Sequence, residues 1–108
     1  MSSILPIADV SQLRYILNKK CSEFTVLIIE DTESTILSEE IVQTQLIYKD
    51  ITYCKAFCSK DINELYKPKR FPTVILFHKN ENILKFSTQN VNKIILQIEY
   101  HRMLALSE

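Results

Sequence analysis

The chain has 108 residues, of which 46% are hydrophobic and 24% are charged, and its formal net charge is zero. This length and composition favour one globular domain spanning residues 1–108 and argue against disorder, while the neutral balance excludes a global attraction to nucleic acid or acidic membranes. The absence of glycine excludes Gly-rich phosphate loops and dinucleotide-binding turns. The longest apolar runs are too short to cross a bilayer, and the N-terminus lacks the pattern of a signal peptide.

The first half of the chain alternates strand and helix patterns. Ile4–Ile7, which contains a proline, reads as a short edge strand, and a helix capped by Asp9 or Ser11 follows and fades near Lys20. Phe24–Glu30 is nearly all apolar and β-branched, as expected of a strand buried on both faces. A long helix is predicted from about Ser34 to Tyr48.

The second half adds three strands and two helices. Ile51–Cys58 is predicted as a strand, and a short helix capped by Ser59 or Asp61 must stop at Pro68. A hairpin joins Thr73–Lys79 to Ile83–Ser87 through an Asn80-Glu81-Asn82 turn, and a last helix runs from Asn90 or Asn92 to about Leu106. The order β-α-β-α-β-α-β-β-α predicts an α/β fold in which the helix-separated strands are joined by parallel crossovers and the terminal hairpin adds an antiparallel pair.

The segment Pro72–Ser87, PTVILFHKNENILKFS, resembles the signature of the thioredoxin family. Val26–Glu30 lies at the corresponding distance upstream, Tyr66 also matches, and the similarity extends over about residues 4–101. The resemblance implies a thioredoxin-like fold, with a central mixed sheet of four to five strands flanked by helices on both faces. It also implies a cis peptide bond between Phe71 and Pro72.

The residues that carry thioredoxin chemistry differ in this chain. The Cys-x-x-Cys motif of the family would fall on four other residues, namely Ser34, Thr35, Ile36 and Leu37. Ile28 would replace the buried acid and Glu33 the tryptophan that precedes the motif. A hydroxyl without a nearby base does not replace a low-pKa thiolate. The resemblance therefore implies vestigial active-site positions 34–37 and Pro72, with no catalytic residue.

The remaining cysteines offer little alternative chemistry. Cys54 and Cys58 would lie roughly 13 Å apart on one strand, too far for a disulfide, and they are interpreted as small core residues. Cys21 is expected to be a partly buried, inert thiol. The odd number of cysteines and their spacing indicate a reducing, cytoplasmic or nuclear location. His78 and His101 are expected at the surface. No cofactor and no metal site are expected.

Two charged segments flank the predicted cis-proline loop. Lys67-Pro68-Lys69-Arg70 is a basic cluster, and Glu30-Asp31-Thr32-Glu33 is acidic. They could pair with each other, recognise one partner together with Phe71, or simply be solvated. The candidate interaction surface therefore consists of seven residues: Glu30, Asp31, Glu33, Lys67, Lys69, Arg70 and Phe71. The partners expected there are proteins, with RNA contact only as part of a ribonucleoprotein, and neither a membrane nor a small-molecule substrate is expected.

The resemblance favours a redox-inactive adaptor or complex subunit that is not an enzyme. Weaker similarities point to thioredoxin-domain chaperone cofactors of the phosducin-like group, through Tyr53-Cys54-Lys55 and Pro72-Thr73, and to the spliceosomal U5 thioredoxin-like protein, through Leu5-Pro6 and Asn90–Lys93. A larger chaperone, proteasome or ribonucleoprotein assembly is the implied context. The alternatives are a residual thiol-disulfide oxidoreductase that uses Cys54 or Cys58, and a permanent subunit anchored by the C-terminal helix.

Overall fold

A strand buried along its whole length, β2 (Phe24–Glu30), forms the centre of the structure. The computed structural model describes residues 4–19, 23–31, 43, 47–57 and 59–107. The other strands are β1 (Leu5–Ile7), β3 (Ile51–Phe57), β4 (Thr73–His78) and β5 (Glu81–Ser87). The helices are α1 (Val10–Lys19), α2 (Lys60–Tyr66) and α3 (Val91–Leu106).

The five strands form one mixed sheet in the order β1-β3-β2-β4-β5. Strand β3 pairs in parallel with both β1 and β2, whereas β4 pairs antiparallel with β2 and with β5. This arrangement confirms the predicted thioredoxin-like α/β fold with a mixed five-stranded sheet.

Helices cover both faces of the sheet. Because side chains alternate along a strand, Val26 and Ile28 of β2 join a core against Ile94 and Ile98 of α3. Leu27 and its neighbours on the same face join a second core against α1 and α2 through Leu13 and Ile62. All these side chains are at most 2% exposed, which explains why β2 carries apolar residues on both of its faces.

Strand β4 departs from the predicted parallel crossover. Helix α2 has seven residues and is therefore about 10 Å long, whereas the seven residues of β3 span about 23 Å. Helix α2 alone does not span the length of the sheet, and the chain enters β4 at the end where β3 finished. Thr73 accordingly pairs with Ile29, near the C-terminal end of β2.

The hairpin turn also lies one residue earlier than predicted. His78 pairs with Glu81, so only Lys79 and Asn80 form the loop, with φ angles of 54° and 65°. Two-residue hairpin loops of type I′ have positive φ at both central positions, and Lys79 and Asn80 meet this condition. Asn82 lies within β5. The predicted helix from Ser34 to Tyr48 lies largely outside the described residues, although Gln43 and Ile47 are helical.

Candidate functional site

The predicted working surface is built where β2 and β3 end and β4 begins. Glu30 pairs with Phe57, and Thr73 pairs with Ser87 of β5. The peptide bond between Phe71 and Pro72 is cis, as the resemblance implied. We call this end of the sheet the cis-proline edge, defined by Glu30, Phe57, residues 67–73 and residues 87–89.

Two hydroxyl groups hold the cis-proline loop. Thr73 Oγ1 donates a hydrogen bond to the carbonyl oxygen of Arg70 at 2.5 Å and lies 2.9 Å from Ser87 Oγ. Ser87 Oγ also donates to the Arg70 carbonyl at 3.4 Å. Thr73 is only 1% exposed, so its hydroxyl is shielded from water, whereas Ser87 is exposed. The Arg70 main chain is thereby fixed while its guanidinium group remains exposed.

A groove of about 570 Å³ opens beside the loop, lined by Arg70, Phe71, Ser87, Thr88 and Gln89. Phe71 is partly buried and packs against the second core, so it forms a fixed apolar wall. Ser87 and the two residues after it were missed by the sequence reasoning. The signal was available in principle, because the Thr73–Ser87 pair follows from the hairpin register.

The acidic part of the predicted surface differs from expectation at Glu30. This residue is 1% exposed, and its Oε1 atom lies 3.0 Å from Lys55 Nζ. The carboxylate is neutralised inside the fold, so the prediction that it contacts a partner is wrong for Glu30. Strand alternation places it on the face that carries Val26 and Ile28. Asp31 is partly buried and has a partner of its own, and Glu33 lies outside the described residues.

The basic part of the surface is exposed. Lys67, Lys69 and Arg70 all face solvent, and none of them forms an ion pair among the residues that the structure describes. Lys67 ends α2 with a left-handed backbone (φ 49°), and its N–H donates to the Asn63 carbonyl oxygen at 2.8 Å. The cluster is therefore held at a defined position by the end of a helix.

An exposed aromatic ring, missed by the sequence reasoning, completes the cis-proline edge. Phe57 is 53% exposed, and the Lys55 ammonium lies 5.6 Å from its ring centroid. Lys55 thus contacts both the buried Glu30 carboxylate and the exposed ring. The end of β3 presents an apolar and cationic surface rather than an acidic one.

The thiol that the structure describes is unsuited to catalysis. Cys54 is 0% exposed and belongs to the second core, and this burial raises the pKa of its thiol to about 12. Ile28, which stands where the family has a buried acid, is 2% exposed in the first core. Cys21, Cys58 and the vestigial positions Ser34, Thr35, Ile36 and Leu37 lie outside the described residues, so the predicted Cys54–Cys58 separation stays a prediction.

Asp61 joins the beginnings of two helices behind the cis-proline edge. Its carboxylate accepts hydrogen bonds from the Val10 N–H at 2.9 Å, the Ser59 hydroxyl at 2.9 Å and the Ile62 N–H at 2.8 Å. The bond from Val10, followed by the bond from Ser59, holds the pKa of Asp61 below its usual value. Ser59 is the N-cap of α2, which confirms the first of the two alternatives, Ser59 or Asp61, that the sequence predicts.

The two histidines lie at the opposite end of the sheet. They line a cavity of about 440 Å³ between the β4–β5 hairpin and α3, and the His78 ring stacks on Phe24 with centroids 4.2 Å apart. Within the described ranges, no group of three or more His, Cys, Asp or Glu side chains is arranged to hold a metal ion. In that same part of the chain, no helix is long and apolar enough to span a bilayer.

Comparisons with known proteins identify the fold. No protein-family model matches the chain, and no curated protein matches it. Among solved structures, Fasciola hepatica thioredoxin superposes with a TM-score of 0.83 at 14% identity, covering 91% of this chain and 99% of its own. Chlamydomonas reinhardtii thioredoxin f2 gives 0.80 at 17%, covering 91% and 95%. An Entamoeba histolytica thioredoxin, solved as a cysteine-to-serine variant, gives 0.76 at 22%, covering 90% and 98%.

Proposed function

We propose that this chain is a redox-inactive, thioredoxin-like adaptor that binds protein partners at its cis-proline edge. The observation that carries the proposal is the combination of a retained, hydrogen-bonded loop at Phe71–Pro72 with a described thiol that is buried and protonated. The cis-proline loop, which we take as the binding part of the site, is retained, whereas a reactive sulfur is not found among the described residues.

The cysteine pattern supports the absence of redox chemistry. The three cysteines stand at positions 21, 54 and 58, so no pair has the Cys-x-x-Cys spacing. The thiolate is the species that attacks a disulfide. With a pKa of about 12, Cys54 is almost wholly protonated at neutral pH, and its burial keeps a protein disulfide at a distance.

The chemistry of the edge indicates what kind of segment it binds. Three exposed cations, Lys67, Lys69 and Arg70, stand beside an apolar groove wall formed by Phe71, and Phe57 is exposed on the neighbouring strand. Such a surface fits a protein segment that carries acidic side chains next to an apolar one.

Protein binding by this fold has a precedent among the structural neighbours. A thioredoxin f2 in complex with ferredoxin:thioredoxin reductase superposes with a TM-score of 0.80 at 17% identity, covering 93% of this chain and 96% of its own. We extend protein binding to the present chain and place it in a larger cytoplasmic or nuclear assembly. Chaperone-cofactor, proteasome-associated and ribonucleoprotein contexts are the ones its sequence similarities favour, and RNA would be contacted only within the last of these.

Affinity purification from native extract followed by mass spectrometry tests the proposal. The bait is the full chain, and the test variant is Lys69→Glu/Arg70→Glu, which reverses two exposed charges at the edge. The matched control, Lys49→Glu/Lys79→Glu, reverses two exposed charges at the opposite end of the sheet. We expect the test variant to recover at least tenfold less of the specific partner than the wild-type chain does, and the control variant to recover as much as the wild-type chain. Equal recovery by both variants would refute binding at the cis-proline edge.

Insulin reduction in the presence of dithiothreitol tests the absence of redox activity. We expect no acceleration over the reductant alone. Activity that disappears in Cys54→Ser or Cys58→Ser would overturn the proposal in favour of an oxidoreductase.

A further inference from the structure

The C-terminal helix α3 carries apolar side chains on the face that points away from the sheet. Four of them, which we call the outer stripe, are exposed by 55% to 67%: Leu96, Tyr100, Met103 and Leu106. The buried residues Ile94 and Ile98 lie on the opposite side of the same helix. The spacing of Leu96, Tyr100 and Met103 is four and then three residues, which places them one above the other on a single helical face.

The charged side chains near the outer stripe contact residues that lie outside the stripe. Arg102 forms two hydrogen bonds with Asp50, at 3.1 and 3.0 Å, and its guanidinium lies 4.8 Å from the Tyr48 ring centroid. Glu99 accepts a hydrogen bond from the Tyr48 hydroxyl. These contacts fix α3 against the segment that leads into β3 and leave the outer stripe between Leu96 and Leu106 uncharged.

The size of the stripe matches a small interface. Its four partly exposed side chains amount to an apolar patch on the order of 500 Å², near the upper limit for a typical monomer. Two such patches in contact would bury on the order of 1,000 Å² in total, the lower limit for a specific interface. An interface of this size is expected to be weak.

We propose that the outer stripe pairs with the outer stripe of a second copy of this chain, with the two α3 helices antiparallel. The formal net charge of zero means that two copies do not repel each other. The four-three spacing is that of a helix–helix seam, and antiparallel helices align their dipoles favourably. About the two-fold axis, Tyr100 of one copy contacts Met103 of the other, and Leu96 lies near Leu106.

Sedimentation velocity on the full chain tests the proposal. We expect a reversible dimer with a dissociation constant on the order of 10–500 µM, as suits an interface of this size. Tyr100→Lys should weaken it at least tenfold, because it places a desolvated charge in the seam. Tyr15→Lys is the matched control: Tyr15 is 66% exposed on α1, against 58% for Tyr100. Circular dichroism verifies that both variants fold.

A mixing experiment tests the antiparallel register. Tyr100→Lys and Met103→Glu should each be monomeric alone, and an equimolar mixture should form a heterodimer because the lysine of one copy meets the glutamate of the other. Failure of the mixture to associate would overturn this register. The proposal is also overturned if the wild-type chain is monomeric at about 1 mM, if it forms open-ended oligomers, or if a different protein occupies the stripe while the chain itself stays monomeric.

Discussion

The reactivity of Cys54 is the most direct measure of whether this domain retains any thiol chemistry. The test uses a variant that carries Cys21→Ser and Cys58→Ser, so that Cys54 is its single thiol. Cys54 is 0% exposed, and no charged group stabilises its thiolate, because desolvation is the cause of its shifted pKa. The native protein should therefore react extremely slowly with alkylating reagents.

The size of the expected decrease in alkylation rate follows from the pKa of Cys54. Burial raises the Cys54 pKa from 9.0 to about 12. At about pH 8 the thiolate fraction falls from about one in ten to about one in ten thousand, since each unit of pKa changes it about tenfold. The alkylation rate should thus fall about a thousandfold relative to the unfolded chain, and steric shielding in the core will slow it further.

Iodoacetamide labelling followed by mass spectrometry measures this rate. The reference is the same variant in concentrated guanidinium chloride, where the thiol is solvated. A second variant, Cys21→Ser/Cys54→Ser, reports on Cys58 under the same conditions. If Cys54 in the native protein were alkylated at a rate within about tenfold of the rate in the unfolded reference, burial would not suppress its reactivity. That result would support the oxidoreductase alternative.

Three further predictions concern stability. Asp61→Asn should lower Tm at neutral pH. Because the pKa of Asp61 is lowered in the folded protein, the difference in Tm between wild type and variant should vanish as the pH falls from about 4 through that pKa. A difference in Tm that stays constant with pH contradicts this prediction. The Tyr53 hydroxyl is buried with no hydrogen-bond partner among the described residues, so Tyr53→Phe should lower the free energy of unfolding in urea by less than about 0.5 kcal/mol. Tyr48→Phe loses the hydrogen bond to Glu99 and should lower it by about 1 kcal/mol. The Lys79-Asn80 turn has positive φ at both residues, so Lys79→Asn/Asn80→Gly should raise the unfolding free energy by about 1 kcal/mol, and a decrease would refute the turn assignment.

The fold was largely predictable because its strongest signals are local. Phe24–Glu30 is apolar except at Thr25 and Glu30 and is buried throughout, and Asn90 caps α3 as its position suggested. The direction of β4 was not predictable from the strand and helix pattern alone, since that pattern does not compare the length of α2 with that of β3. The hairpin turn was misplaced because Lys79 gives no composition signal for a left-handed backbone.

The candidate site was only partly predictable, because contacts between segments distant in sequence decide which of its charged side chains are paired and which are exposed. The sequence shows an acidic and a basic cluster of similar strength on either side of the cis-proline loop. In the structure, Lys55 of β3 neutralises Glu30 from within the sheet, and this pairing depends on the register between β2 and β3. Lys67, Lys69 and Arg70 have no such partner among the described residues, so the exposed part of the described edge is cationic. This asymmetry is why an acidic protein segment is the partner we expect there.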